Sequence, residues 1–204
     1  MKKIRKELKE KEKIREKAQK NMRKATSLSK QAILLIHQKR LGEAKKLIEK
    51  AKEIISKLDD ASATHPNIIY SGLFDAALQE FSEANILLKL VEESKFPTPE
   101  EIGVPSVDYV LGLADVIGEC RRMALDALRE GKIRESENCL RIMDEIYTEL
   151  MAMDEAYMLV PGLRRKCDMA RRIIEATRGD ITQEGRRTAL EKSLKSLERR
   201  IGKT

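Results

Sequence analysis

From Ile4 to Gln38 the chain keeps one helical phase without a break. Ile14, Ala18, Asn21, Ala25, Leu28, Ala32, Leu35 and Ile36 recur at the spacing that stacks them on one stripe, and Lys or Arg fills much of the remainder. Strands seldom exceed about ten residues, so a run this long in one phase can only be helix. A chain that opens this way must bury the stripe against other helices. The rest of the sequence offers little else: aromatic residues are 3% of its 204 positions, Trp is absent, and only 10 Gly and 5 Pro interrupt a composition rich in Ala, Leu, Glu, Lys and Arg. The expected fold is all-α, an antiparallel bundle of about seven helices forming a single domain over residues 1–204.

The spacing predicts a second helix from a break at Gly42 to about Leu58, with Leu47, Ile48, Ala51, Ile54, Ile55 and Leu58 on one face. Residues 59–71 carry turn chemistry, including Asp60, Ser62, Thr64, Pro66, Asn67 and Ser71. A third helix is expected from about Gly72 to Glu93, stopped by Pro97, Pro99 and Pro105, and a fourth from Ser106 or Val107 to a glycine end at Gly131. The fifth spans roughly 132–158. The sixth runs from Leu163 to Arg178 and closes at Gly179, with Asp180 or Thr182 capping a last basic helix over 183–201. Several helices carry apolar residues on more than one face, as at Ile86, Leu87, Leu88 and Leu90 or Leu111, Leu113, Val116 and Ile117, which predicts self-association.

Charge is divided along the chain: +13 over residues 1–57, −13 over 58–159 and +7 over 160–204. Basic ends around an acidic middle suit a protein where metal ions meet a polyanion, and suit equally well attraction between the arms and the centre. The charged N-terminus lacks a signal-peptide core, and no run approaches the roughly 18 apolar residues of a membrane span, so a cytoplasmic protein with no membrane partner is expected. Cys120, Cys139 and Cys167 are odd in number and lie in helical patterns without CxxC spacing, which predicts buried, reduced thiols rather than a disulfide or zinc framework. His37 and His65 stand apart from any motif that would make them a base or a ligand.

Four carboxylates stand out. In LQEFSEANILL, Glu80 and Glu83 point to one side of a helix that is apolar over much of its girth. Burying them costs several kcal/mol, on the order expected for an ion leaving water, unless a cation compensates. That cation could be Arg or Lys, or a metal. In YVLGLADVIGEC, Asp115 and Glu119 are neighbours at i, i+4, a mildly unfavourable like-charge pair that is either a solvated face or half of a site. Were the two helices to pack together, four oxygen ligands could converge, a set that suits Mg²⁺ or Mn²⁺ and phosphodiester cleavage.

The stretch LRRKCDMARRIIEATRGDIT, from Leu163, resembles the LRRKxDVARxxIExTRGDxT helix of the translin family. YVLGLADVIGECRRMALDALREGK is similar to that family's Y-L-x-G-x-x-D-x-x-G-E-x-R-R helix. LQEFSEA resembles the LQEYVEA of the translin-associated factor X (TRAX) branch, and KNMRKATSLSKQAILLIHQ resembles that branch's first helix. The resemblance covers most of the chain, thinning over 39–70 and beyond 183, and points to an archaeal-type, factor X-like member. It implies an all-α subunit of seven helices, assembled as a hollow homo-octamer that binds single-stranded RNA, and single-stranded DNA as well, on its inner surface. It further implies a metal-dependent endoribonuclease whose catalytic and metal-holding carboxylates fall on Glu80, Glu83, Asp115 and Glu119, with Mg²⁺ or Mn²⁺ as cofactor.

Where the translin branch has a basic RFHxHWRF-like stretch, this chain reads FSEANILLK, which favours the factor X branch and removes one nucleic-acid contact. Binding would then rest on Arg15, Lys20, Arg23, Lys24 and Lys30 of the first helix and on Arg164, Arg165, Lys166, Arg171 and Arg172 of the LRRK helix. With few aromatics for stacking, it should be electrostatic and salt-sensitive. The competing readings are a non-catalytic single-stranded RNA- or DNA-binding protein of the translin type and a helical scaffold for protein partners.

Overall fold

The computed structural model describes residues 1–153 and 157–201. Among these it has eight helices and no strand: α1 (Lys2–His37), α2 (Leu41–Ser62), α3 (Pro66–Ile69), α4 (Gly72–Glu93), α5 (Pro99–Ile102), α6 (Ser106–Arg129), α7 (Ile133–Ala152) and α8 (Leu163–Ile201). None of them is long and apolar enough to cross a membrane. The chain groups into two compact units, residues 1–116 and 117–204, and the division falls inside α6.

In the first unit α1 and α2 form a hairpin. Its turn is made at Lys39 (φ 60°), whose N–H donates to Ile36 O (2.9 Å) while that of Arg40 donates to Leu35 O (2.9 Å). These two bonds satisfy the last carbonyls of α1 in the manner usually reserved for a glycine. The break expected at Gly42 is therefore misplaced: Gly42 lies in the first turn of α2, and the left-handed position is taken by a lysine. α4 lies against both. Lys45 Nζ meets Glu92 (2.8 Å) and Ser62 Oγ meets Tyr70 Oη (3.1 Å), so α2 and α4 run in opposite senses. Ser71 Oγ reaches Met22 Sδ (3.9 Å) and Lys30 Nζ meets Glu80 (3.2 Å), so α1 and α4 run in the same sense. Fully buried Ala25, Ala32, Ala44, Ala51, Ala77 and Ala84 allow these helices to approach closely around Met22, Phe81, Ile86 and Leu87.

The second unit holds the end of α6, then α7 and α8. Gly131 (φ +75°) closes α6 as its sequence predicted, with Lys132 N–H donating to Ala127 O (2.8 Å). Cys139, Met143, Ile146 and Leu150 of α7 and Cys167, Ala170, Ile174 and Thr177 of α8 are buried. Arg121 donates to Thr177 Oγ1 (2.7 Å) and pairs with Asp180 (3.2 Å), and Arg178 pairs with Asp144 (2.8 Å). The expected sixth and seventh helices are one. Gly179 does not end α8, because a lone helical glycine costs only about 1 kcal/mol, and Asp180, held by Arg121, and buried Ile181 anchor the turn that follows it. Thr182 is no cap; its hydroxyl donates back to Arg178 O (2.7 Å). The fifth helix, expected to reach 158, ends at Ala152, and residues 154–156 of that expectation lie outside the described residues. All three cysteines are buried and free, and burial pushes the Cys120 thiol up to about 12.

Candidate active site at the crossing of two helices

The first unit brings α4 and α6 together at Gly112. A Cβ at this position would stand 2.7 Å from Gln79 O, 2.7 Å from Ser82 Cβ and 3.0 Å from Glu83 N, so only glycine lets the helices meet here. That contact lies on the turn of α4 that carries Glu80 and Glu83. Glu83 is 7% exposed, a carboxylate enclosed by the apolar girth its sequence described. Glu80 is half-buried and pairs with Lys30 of α1. Asp115, one turn beyond Gly112, accepts a hydrogen bond from Gln79 Nε2 (2.5 Å). Three of the four sequence-predicted carboxylates thus belong to the first unit around one crossing. Glu119 is half-buried, one turn further along α6 and in the second unit.

Sequence reasoning missed Gln79 and the role of Gly112. The glycine left a signal: it interrupts an otherwise strong helix, YVLGLAD, at a cost that close backbone approach explains. Gln79 left none, being one more polar residue beside Glu80.

The carboxylates fit a hard divalent cation by donor type, since all are oxygen ligands. Their arrangement is not yet a cage. Among the described residues no group of three or more His, Cys, Asp or Glu stands ready to hold a metal. Glu80 is engaged by Lys30 and Asp115 by Gln79. The first of these can be exchanged. The Lys30 side chain is 62% exposed, and a pair of this kind contributes at most about 1 kcal/mol.

The basic residues read from sequence fall as expected on helix surfaces. Arg15, Lys20, Arg23, Lys24 and Lys30 are exposed along α1; Arg15 also pairs with Glu12 (3.0 Å). Arg23 and Lys30 line a shallow groove of about 490 Å³ with Ser27, Gln31 and Leu73. On α8, Arg164, Arg165, Arg171 and Arg172 are exposed, whereas Lys166 is half-buried and already engaged.

A model of the translin family matches residues 13–176, a span that includes Glu80, Glu83, Asp115 and Glu119 and the ten basic residues read from sequence. The chain belongs to the translin family. It is 36% identical over 157 residues to the uncharacterized protein MJ0175 of Methanocaldococcus jannaschii, covering 76% of this chain and 69% of that one. Among solved structures, the translin-family chain is similar to AfC3PO, with a TM-score of 0.80 and 34% identity over 90% of this chain and 96% of that one. A structure of AfC3PO with duplex RNA matches at a TM-score of 0.79, again at 34% identity, over 90% and 95%. Apo-NeC3PO has the same fold, with a TM-score of 0.80 at 22% identity over 89% and 95%.

Proposed function

We propose that this translin-family protein is a metal-dependent endoribonuclease of the factor X branch, archaeal in type, which binds RNA within a hollow homo-octamer in the cytoplasm. The observation that carries the reading is the crossing at Gly112, where α6 meets α4 on the turn holding a buried glutamate, Glu83, with Glu80 and Asp115 beside it. RNA binding is supported by the 34%-identical AfC3PO chain solved with duplex RNA, and by the exposed arginines and lysines of α1 and α8. Glu80, Glu83, Asp115 and Glu119 would hold Mg²⁺ or Mn²⁺, and the ion, when bound, supplies Lewis-acid stabilisation of the scissile phosphate. Gln79 orients Asp115, Gly112 sets the spacing of the helices, and Lys30, once exchanged from Glu80, is free to meet a phosphate of the strand. Single-stranded DNA would bind through the same basic side chains without base discrimination.

A non-catalytic RNA-binding protein is the second reading, favoured by the pairing of Glu80 with Lys30 and of Asp115 with Gln79. Incubating end-labelled single-stranded and duplex RNA with the protein, in Mg²⁺, in EDTA and with the Asp115→Ala variant, separates the two. Cleavage that needs both the ion and Asp115 supports the nuclease. Binding that survives in every lane without cleavage removes it.

A further inference from the structure

A second group of acids in the first unit lies outside the proposed active site. Asp108, in the first turn of α6, is 6% exposed, and among the described residues its carboxylate has no hydrogen-bond or ion-pair partner. Its side chain lines a groove of about 500 Å³. Asp75 of α4 faces it closely enough to be felt, and burial first, then Asp75, pushes the Asp108 carboxyl up to about 6. A helix N-terminus normally favours a nearby carboxylate, so desolvation dominates here. Asp75 is itself exposed, so the uncompensated cost in this fold falls on the buried Asp108 beside it on the groove.

The remaining walls define what would compensate it. Phe74, Leu78 and Phe81, each almost fully buried, form the apolar floor of the groove, and Tyr70 stands at the edge, its ring 6.3 Å from that of Phe74 and tilted by 56°. Asp59 and Glu100 also line the groove, against a single lysine, Lys52, which makes no ion pair with any of them. Phosphate and other anions are repelled by such a lining. A divalent metal lacks ligands, because no three acids here are grouped to hold one. A cation with an apolar stem meets every wall: an ammonium between the aspartates, methylenes along the phenylalanines, and a second ammonium near the acids at the groove's edge.

We propose that the groove between α2, α4 and the α5 loop binds a small alkyl diammonium or polyamine, one ammonium seated between Asp75 and Asp108. This site is independent of the proposed nuclease. The test is calorimetric titration of the full chain with 1,5-diaminopentane at low salt, beside Asp108→Asn, Asp75→Asn, Glu83→Gln and, as a surface control, Asp126→Asn. Expected is saturable binding that weakens by about tenfold or more in each of the first two variants, and is unchanged in the last two. Asp75→Asn keeps the test open should Asp108→Asn fail to fold. No saturable binding, or binding by the Asp108 and Asp75 variants as tight as that of the unaltered protein, overturns the site. Loss in Glu83→Gln instead would place the amine at the α4–α6 crossing and overturn it as well. A blocked lysine, carrying one ammonium, should bind at least about tenfold more weakly than the diamine; equal affinity would make a protein side chain the ligand and refute the diammonium assignment.

Discussion

Replacing Asp108 by Asn should stabilise the protein near neutral pH and not in acid. In the fold its carboxyl titrates at about 6, raised from 3.8 by burial and then by Asp75. The folded state therefore holds this proton more tightly than the unfolded chain does, and stability falls as pH rises from about 4 to about 6, then levels off. At about 1.4 kcal/mol per unit, the charged form costs up to about 3 kcal/mol above that window. The groove admits water to one side of the carboxylate, so about 1.5 kcal/mol is a better figure after screening. Asn keeps the shape and carries no charge. Lys52 and Asp59 of α2, Asp75 of α4 and Glu100 of α5 line the same groove and are common to both proteins, so the comparison isolates what the Asp108 charge does among them. Urea unfolding at equal protein concentration, at about pH 8 and about pH 4, reads that difference directly. Asn should be the more stable at the higher value by about 1–3 kcal/mol and no more stable at the lower. A difference that does not change with pH, or an Asn protein weaker at the higher value, would refute the account of Asp108 as a desolvated charge.

Gly112→Ala places a methyl 2.7 Å from the backbone oxygen of Gln79 and should cost about 1–3 kcal/mol in urea unfolding. Gly118→Ala, with nothing within 4 Å, should gain up to about 1 kcal/mol, so equal effects would sink the close-approach argument. Lys39→Gly relieves a left-handed lysine and should raise stability by about 1 kcal/mol; a fall in the unfolding midpoint would show that the lysine side chain has a use there. Cys120, pushed to about 12 by burial, should resist a thiol reagent in the native protein and react in denaturant, and rapid native labelling would contradict its placement.

The helices were legible because their seams are local. A 3.6-residue period fixes which face of α1 or α4 is apolar, and it placed α4 at Gly72–Glu93 as observed. Helix ends were read less well, since glycine marks an end only when nothing beyond it is anchored. Gly131 ends α6, but Gly179 is carried through by Arg121 on Asp180 and by buried Ile181. The same limit governs the carboxylates. Glu83 could be read as buried because its own helix surrounds it with apolar residues. Glu80 could not be matched to Lys30, nor Asp115 to Gln79, because those pairs depend on the register between helices far apart in sequence. Asp108 shows the limit most sharply: its sequence position, the first turn of a helix, is where an exposed aspartate is expected. Its burial is set by other elements, with α5 and the loop after it lining one side of the groove and α2 and α4 the rest. A periodicity can state which way a side chain points, but its depth is decided by the segment laid over it, and irregular segments carry no period to read.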